Sequence, residues 1–183
     1  NEFYLERANQ FFSRFDRYLN IRNRSRDDAI DAYLKLCSDM ILEQIKFMKT
    51  KQYSLSSQVI AFESVYDNEE RMSIYMEGLA LSQFFWVSHY RIFDFFLDVL
   101  RNNSININNY LEIGPGHGLY LAEALNLLKN TNLTALDISP TSLKVTQDMV
   151  AVFTSKANEI RYEIGNVENF MPTVSFDFIT MAE

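Results

Sequence analysis

A single cysteine, Cys37, stands among 183 residues, so no intrachain disulfide can form. It falls among Tyr33, Leu34, Leu36, Met40 and Ile41 and reads as a small core residue. With two histidines beside it, there is no Cys/His cluster at metal-ligand spacing, and no metal is expected. Proline is equally scarce. None precedes Pro115, which leaves the long N-terminal stretch free to be helical. No apolar run is long enough to span a bilayer: those around 78–87 and 92–100 are short and interrupted. The first residues are polar and lack the apolar core of a signal peptide, so a cytoplasmic location is the default. Basic residues are in the minority, 17 against 24 acidic, for a net charge of -7. That balance counts against a nucleic-acid partner, which calls for a basic face, and leaves small-molecule or protein substrates open.

What the chain does have is apolar mass. Hydrophobic residues make up 48% and aromatics 14%, which places it among packed globular proteins rather than disordered ones. Phe3, Ala8, Phe11, Phe12, Phe15, Tyr18 and Leu19 recur at helical spacing. Ser25 and Asp28 form a capping-box pattern opening a second helix, whose apolar face is expected to run Ala29, Tyr33, Leu36 or Cys37, Met40, Ile41 and Ile45. A third helix is expected over Leu55–Val65. A further helical pattern runs from Glu69 to Leu100, with a break near Ser88. Arg14, Arg17, Arg22, Arg24 and Arg26 read as a solvated surface paired with nearby aspartates, the alternative being a docking patch for an anion.

The Asn-rich stretch 102–109 is a domain boundary, separating an all-helical region, 1–105, from an α/β region, 106–183. Beyond it, short apolar strands alternate with helices: strand Asn109–Ile113, helix Leu119–Lys129, strand Leu133–Ile138, helix Thr141–Ser155, strands Ile160–Ile164 and Phe176–Met181. This alternation predicts a doubly wound, Rossmann-like parallel sheet. Ser139-Pro140 supplies the second of these helices with an N-cap and a first-turn proline.

Between the first strand and its helix lies Gly114-Pro115-Gly116-His117-Gly118. Such a turn opens backbone angles closed to other residues, lets a ligand approach the main chain without meeting a Cβ, and aims helix N–H groups at it. The glycines alternate. A dinucleotide fingerprint, G-x-G-x-x-G, needs a glycine where Leu119 stands, so the spacing disfavours a nicotinamide or flavin. Asp137 ends the second strand about twenty residues further on, where a carboxylate can accept from both hydroxyls of a ribose. Glu112 lies in a buried strand, where an unpaired carboxylate is costly, which favours a satisfied role near the turn or a ligand. His117 reads as a tolerated turn residue. His89 reads as a capping or buried hydrogen-bonded histidine, the alternative being that His89 and Tyr90 line a substrate pocket.

Tyr110-Leu-Glu-Ile-Gly-Pro-Gly-His-Gly118 resembles the first motif of class I S-adenosylmethionine-dependent methyltransferases, an apolar run, an acid and G-x-G-x-G, and Leu136-Asp-Ile138 resembles the second. The resemblance covers 109–183. It implies S-adenosylmethionine as cofactor, S-adenosylhomocysteine as product, and a site built by Glu112, Gly114, Pro115, Gly116 and Gly118 with Asp137 on the ribose and Ile138 on the adenine. Gly165-Asn-Val-Glu-Asn169 is similar to the third-strand exit. There Val167 would give a backbone contact to adenine, and Asn166, where aspartate is usual, would accept from its amino group. Phe176–Glu183 resembles the fourth strand, which would bring Glu183 near the methionine part. The implied reaction is methyl transfer to a small-molecule acceptor, and neither a catalytic base nor the acceptor is identified. A non-catalytic nucleotide-binding or interaction domain and another nucleotide-using α/β enzyme are the competing readings.

The family's usual strand order is 3-2-1-4-5-7-6, and only four strands are visible. We therefore expect a longer natural protein, since Phe176, Phe178, Ile179 and Met181 would otherwise form an apolar edge. A homodimer pairing that edge is the fallback.

Overall fold

The computed structural model describes residues 2–54 and 68–182. The helix expected over Leu55–Val65, and Glu183, lie outside the described residues. Four helices come first: α1 (Glu2–Ile21), α2 (Arg26–Thr50), α3 (Glu69–Phe85) and α4 (Val87–Asn103). Then follow β1 (Asn109–Ile113), α5 (Leu119–Leu127), β2 (Asn132–Asp137), α6 (Pro140–Phe153), β3 (Ile160–Ile164) and β4 (Phe178–Thr180). The strands form one parallel sheet in the order β3-β2-β1-β4, so the chain starts at the centre and winds outward in both directions. This is the partial Rossmann-like arrangement that the strand–helix alternation predicts.

The helix starts follow from local chemistry. Ser25 Oγ accepts from the Asp28 N–H while Asp28 accepts from the Ser25 N–H, a reciprocal capping box. Asn68 caps α3 through Arg71 N–H, and Ser139 caps α6 through Ser142 N–H with Pro140 in the first turn. The break between α3 and α4 falls at Trp86, not near Ser88. No glycine or proline marks it. Trp86 is extended, and its indole donates to Tyr33 Oη across 2.7 Å, so a contact with α2 sets the position.

One apolar core runs through both halves of the chain. From α1 come Ala8, Phe11, Phe15, Tyr18 and Leu19, with Phe11 stacked on Phe84 of α3 at 4.5 Å. Across the sheet, Ile160, Leu133, Tyr110 and Phe178 are in-register neighbours and face this same core. The arginines near the end of α1 tie the helical part to the α/β part. Arg22 donates to Asp148 of α6 and to Ser73 of α3, and Arg17 to the carbonyl of Val152. Arg24 pairs with the fully buried Glu77 of α3 at 2.9 Å, and Arg26 pairs with Asp16. Four of the five arginines are thus spent on partners, but only Arg26 pairs with a nearby aspartate as the sequence suggests; Arg17, Arg22 and Arg24 reach distant elements instead.

The apolar face expected of α2 is only half right. Ala29, Ala32 and Leu36 are buried, but Met40, Ile41 and Ile45 are exposed. The cause is a close crossing of α2 and α3. A Cβ on Gly78 would stand 2.8 Å from the Ala32 carbonyl oxygen and 3.2 Å from Leu36 Cβ, so the helices touch backbone to backbone there. The Gly78→Ala variant tests this. In an open helix the change would gain ~1 kcal/mol of propensity. Here it forces rigid backbone apart, and urea denaturation should show a net loss of about 1–3 kcal/mol. A gain in stability would mean that the helices do not cross this closely.

Candidate functional site

The carboxyl ends of β1, β2 and β3 are stapled together by their own exits. Gly114 N–H donates to the Leu136 carbonyl at 2.8 Å, and Gly165 N–H donates to the Asp137 carbonyl at 2.9 Å. Ligands in open α/β sheets bind in the crevice outside these ends. Here the glycine turn, Asp137, Ile138, Asn166 and Val167 all lie on it.

Gly114, Gly116 and Gly118 have φ of 62°, 52° and 71°, all in the left-handed region. They serve different purposes. A Cβ on Gly114 would meet nothing within 4 Å, so its backbone faces open space. A Cβ on Gly118 would stand 2.6 Å from Val150 Cγ2 and 2.9 Å from Thr146 Cγ2, so this glycine lets α5 start against α6. Thr146 Oγ1 donates to the Gly116 carbonyl at 2.6 Å and fixes the turn's middle peptide from α6. The turn closes with Gly118 N–H on the Pro115 carbonyl at 2.8 Å. His117 is buried and its Nδ1 accepts from Leu119 N–H at 3.2 Å, which satisfies one of the four orphan donors at the start of α5. Burial, with the nearby His89, pushes its pKa down to about 3, so the ring stays neutral and keeps that acceptor. His117 is therefore a cap for the helix behind the turn.

Asp137 is held by the start of α6. One carboxylate oxygen accepts from Ser139 N–H at 2.8 Å and the other from Ser142 Oγ at 2.9 Å. Burial raises its pKa, and these hydrogen bonds act the other way. With the Ile138 N–H as a third donor, the carboxylate's roughly four acceptor sites are not all occupied. Ile138 and Val167 are 43% and 46% exposed, apolar side chains left open on the two flanking strand exits. The Asn166 carbonyl oxygen accepts from Glu168 N–H at 2.9 Å, capping the short turn Val167–Asn169. That oxygen is thus partly committed to its own loop.

Glu112 lies near the end of β1, two residues before Gly114. It is buried within the sheet's inner face, in register with Ala135 and Thr180, and accepts from Tyr110 Oη at 2.8 Å. Burial raises its pKa to about 8, with the tyrosine hydrogen bond opposing the shift. His89 and Tyr90 point apart. His89 Nδ1 lies 3.0 Å from Ser82 Oγ, while Tyr90 packs on Tyr4 and accepts from Arg7. Neither Thr146 nor His117 is recognisable from the sequence as a support of the turn. Among the described residues no group of three His, Cys, Asp or Glu side chains could hold a metal, and no helix is long and apolar enough to cross a membrane.

Residues 111–183 match the family model of the methyltransferase domain. Malonyl-[acyl-carrier protein] O-methyltransferase 2 of Ilyobacter polytropus is 31% identical over 83 residues, 45% of this chain and 30% of that protein. The solved structure of PigF with SAH superposes with a TM-score of 0.53 at 16% identity, over 66% of this chain and 33% of that one. The chain thus spans about a third of the length of the proteins it matches. All of this chain's likeness to the methyltransferase-domain model falls on the α/β part, and the likeness to the solved structure is one of fold.

The buried Glu112 makes a testable statement about stability. Its folded pKa of about 8 stands above the ordinary 4.5. Between those values the folded state holds a proton that the unfolded state has lost. Stability is therefore fullest below the unfolded pKa and falls as pH rises toward 8, by at most about 1.4 kcal/mol per pH unit. In urea titrations from pH 5 to 9, Glu112→Gln should remove that slope and be the more stable protein at the alkaline end. Parallel curves for the two proteins would mean that Glu112 is not buried unpaired.

Proposed function

We propose that the chain is, or belongs to, an S-adenosylmethionine-dependent methyltransferase acting on a small-molecule acceptor. The observation that carries this is the Gly114 backbone, left-handed and open, at the mouth of three stapled strand ends beside the Asp137 carboxylate. The methyltransferase family match and PigF with SAH support S-adenosylmethionine and its product as the cofactor pair. When bound, the cofactor supplies a methyl group already activated by a sulfonium charge. The chain's task is then to hold and orient.

In this reading Gly114, Pro115, Gly116 and Gly118 form the cradle against which the ligand lies. Asp137, kept in place by Ser139 and Ser142, accepts from the ribose hydroxyls. Ile138 and Val167 cover the adenine, and Asn166 contributes through its amide. Glu112 acts from beneath the turn, through its fit in the sheet, rather than by direct contact. Glu183 completes the methionine side. The helical region, 1–105, serves as lid, acceptor pocket or dimer surface over the α/β region, 106–183.

Calorimetry provides the test. Both S-adenosylmethionine and SAH should bind saturably and NAD should not. Asp137→Ala, which removes a charged hydrogen-bond acceptor, should weaken binding by about 10–100-fold. Binding of NAD alone, or an Asp137→Ala variant with unchanged affinity, would overturn the assignment.

A further inference from the structure

A second cavity, of about 160 Å³, lies between α1, α4, α5 and α6. Neither the glycine turn nor Asp137 nor Asn166 lines it. Its floor is aromatic: Phe11, Phe84, Phe93 and Phe153, each at most 6% exposed. Its polar lining is charged, with Arg7 and Arg14 from α1, Arg101 from α4 and Glu123 from α5. Two of these charges are already spoken for. Arg7 pairs with Asp94, and Arg101 pairs with Asp98 at 3.0 Å. The other two are not. Arg14 has no ion pair among the described residues and only rests over the Phe153 ring, 5.9 Å from its centre. Glu123 is half-buried, and no hydrogen bond or ion pair engages it among the described residues. Burial raises its pKa although Arg14, Arg7 and Arg101 act on it in the opposite sense.

The cavity thus offers one unspent positive group, one unspent negative group and an aromatic floor. A simple anion would satisfy Arg14 but face Glu123. A simple cation would do the reverse. Leaving either charge without a partner in a half-buried cleft is costly. A ligand that carries both charges and an apolar body satisfies all three features. The volume, below the ~300–1,000 Å³ of drug-sized pockets, suits one small molecule and excludes a nucleotide. We propose that this cleft binds a small zwitterion, an α-amino acid with a hydrophobic side chain, its carboxylate on Arg14, its ammonium on Glu123 and its side chain over Phe11 and Phe153. The proposal does not rest on the methyltransferase reading, because the two sites share no residue.

The test uses the whole chain and four probes: L-phenylalanine, L-leucine, 3-phenylpropionate, which lacks the amine, and phenethylamine, which lacks the carboxylate. Calorimetry and thermal shift should show at least one amino acid binding about ten-fold or more tighter than either fragment, each charged hydrogen bond being of that order. Glu123→Gln should bring phenylalanine down to the level of phenylpropionate, and Arg14→Gln to that of phenethylamine. Asp137→Ala should leave the amino acid's affinity unchanged. The fragment comparison on the unaltered chain decides the matter even if a variant folds poorly. If neither amino acid binds at millimolar concentration, if phenylpropionate binds as well as phenylalanine, or if Asp137→Ala abolishes binding, the proposal fails.

Discussion

The structure turns on the contact between Gly118 and α6. The turn must enter α5 with a left-handed residue, and it must do so with Thr146 and Val150 close enough to meet any side chain placed there. Only glycine satisfies both demands. The same helix then reaches back: Thr146 Oγ1 holds the Gly116 carbonyl, while Ser139 and Ser142 at its start hold Asp137. One helix thereby sets the turn's path and the carboxylate's orientation, and the open Gly114 backbone is presented between them. α6 is itself positioned by α1, through Arg22 on Asp148 and Arg17 on the Val152 carbonyl. The helical region also reaches the turn directly, since Met76 and Leu79 of α3 stand 3.8 Å from where a Cβ on Gly116 would be.

Two buried carboxylates, and a third that is half-buried, show how the fold separates structure from chemistry. Glu77 is neutralised by Arg24, a pairing that ties the α1–α2 connection to α3. Among the described residues Glu112 has no cation and a single hydroxyl partner, so burial favours its protonated form. Asp137 alone stands at a strand end, with its hydrogen bonds from backbone and hydroxyl oriented by a helix start and lone pairs left over. The acid nearest the glycines in sequence is thus the less accessible of the two.

The sequence made legible what depends on neighbours along the chain. The capping box at Ser25, the cap at Ser139, the first three strands and the alternate glycines each act over a few residues and appear within a residue of where expected, whereas the fourth strand is only Phe178–Thr180 against the expected Phe176–Met181. What depends on contacts between distant residues was not visible. The helix break was expected near Ser88, but a hydrogen bond from Trp86 to Tyr33, far back in the chain, puts it earlier. The outward turn of Met40, Ile41 and Ile45 follows from the close crossing at Gly78, which no periodicity reports. The capping role of His117 needed its ring to be seen against Leu119 N–H. The charged cleft joins Arg14, visible in the sequence as one of the arginine cluster, to Glu123, more than a hundred residues away, and nothing local marks their meeting.

The central claim is that the crevice outside β1, β2 and β3 is the ligand site, with the glycine turn as its floor. Titration of the 15N-labelled chain with SAH, followed by amide chemical shifts, tests it most directly. The account predicts that the largest shifts fall on Gly114, Gly116, Gly118, Ile138 and Val167, with the amides of α2 unmoved. Saturable binding with those five amides unchanged would contradict it.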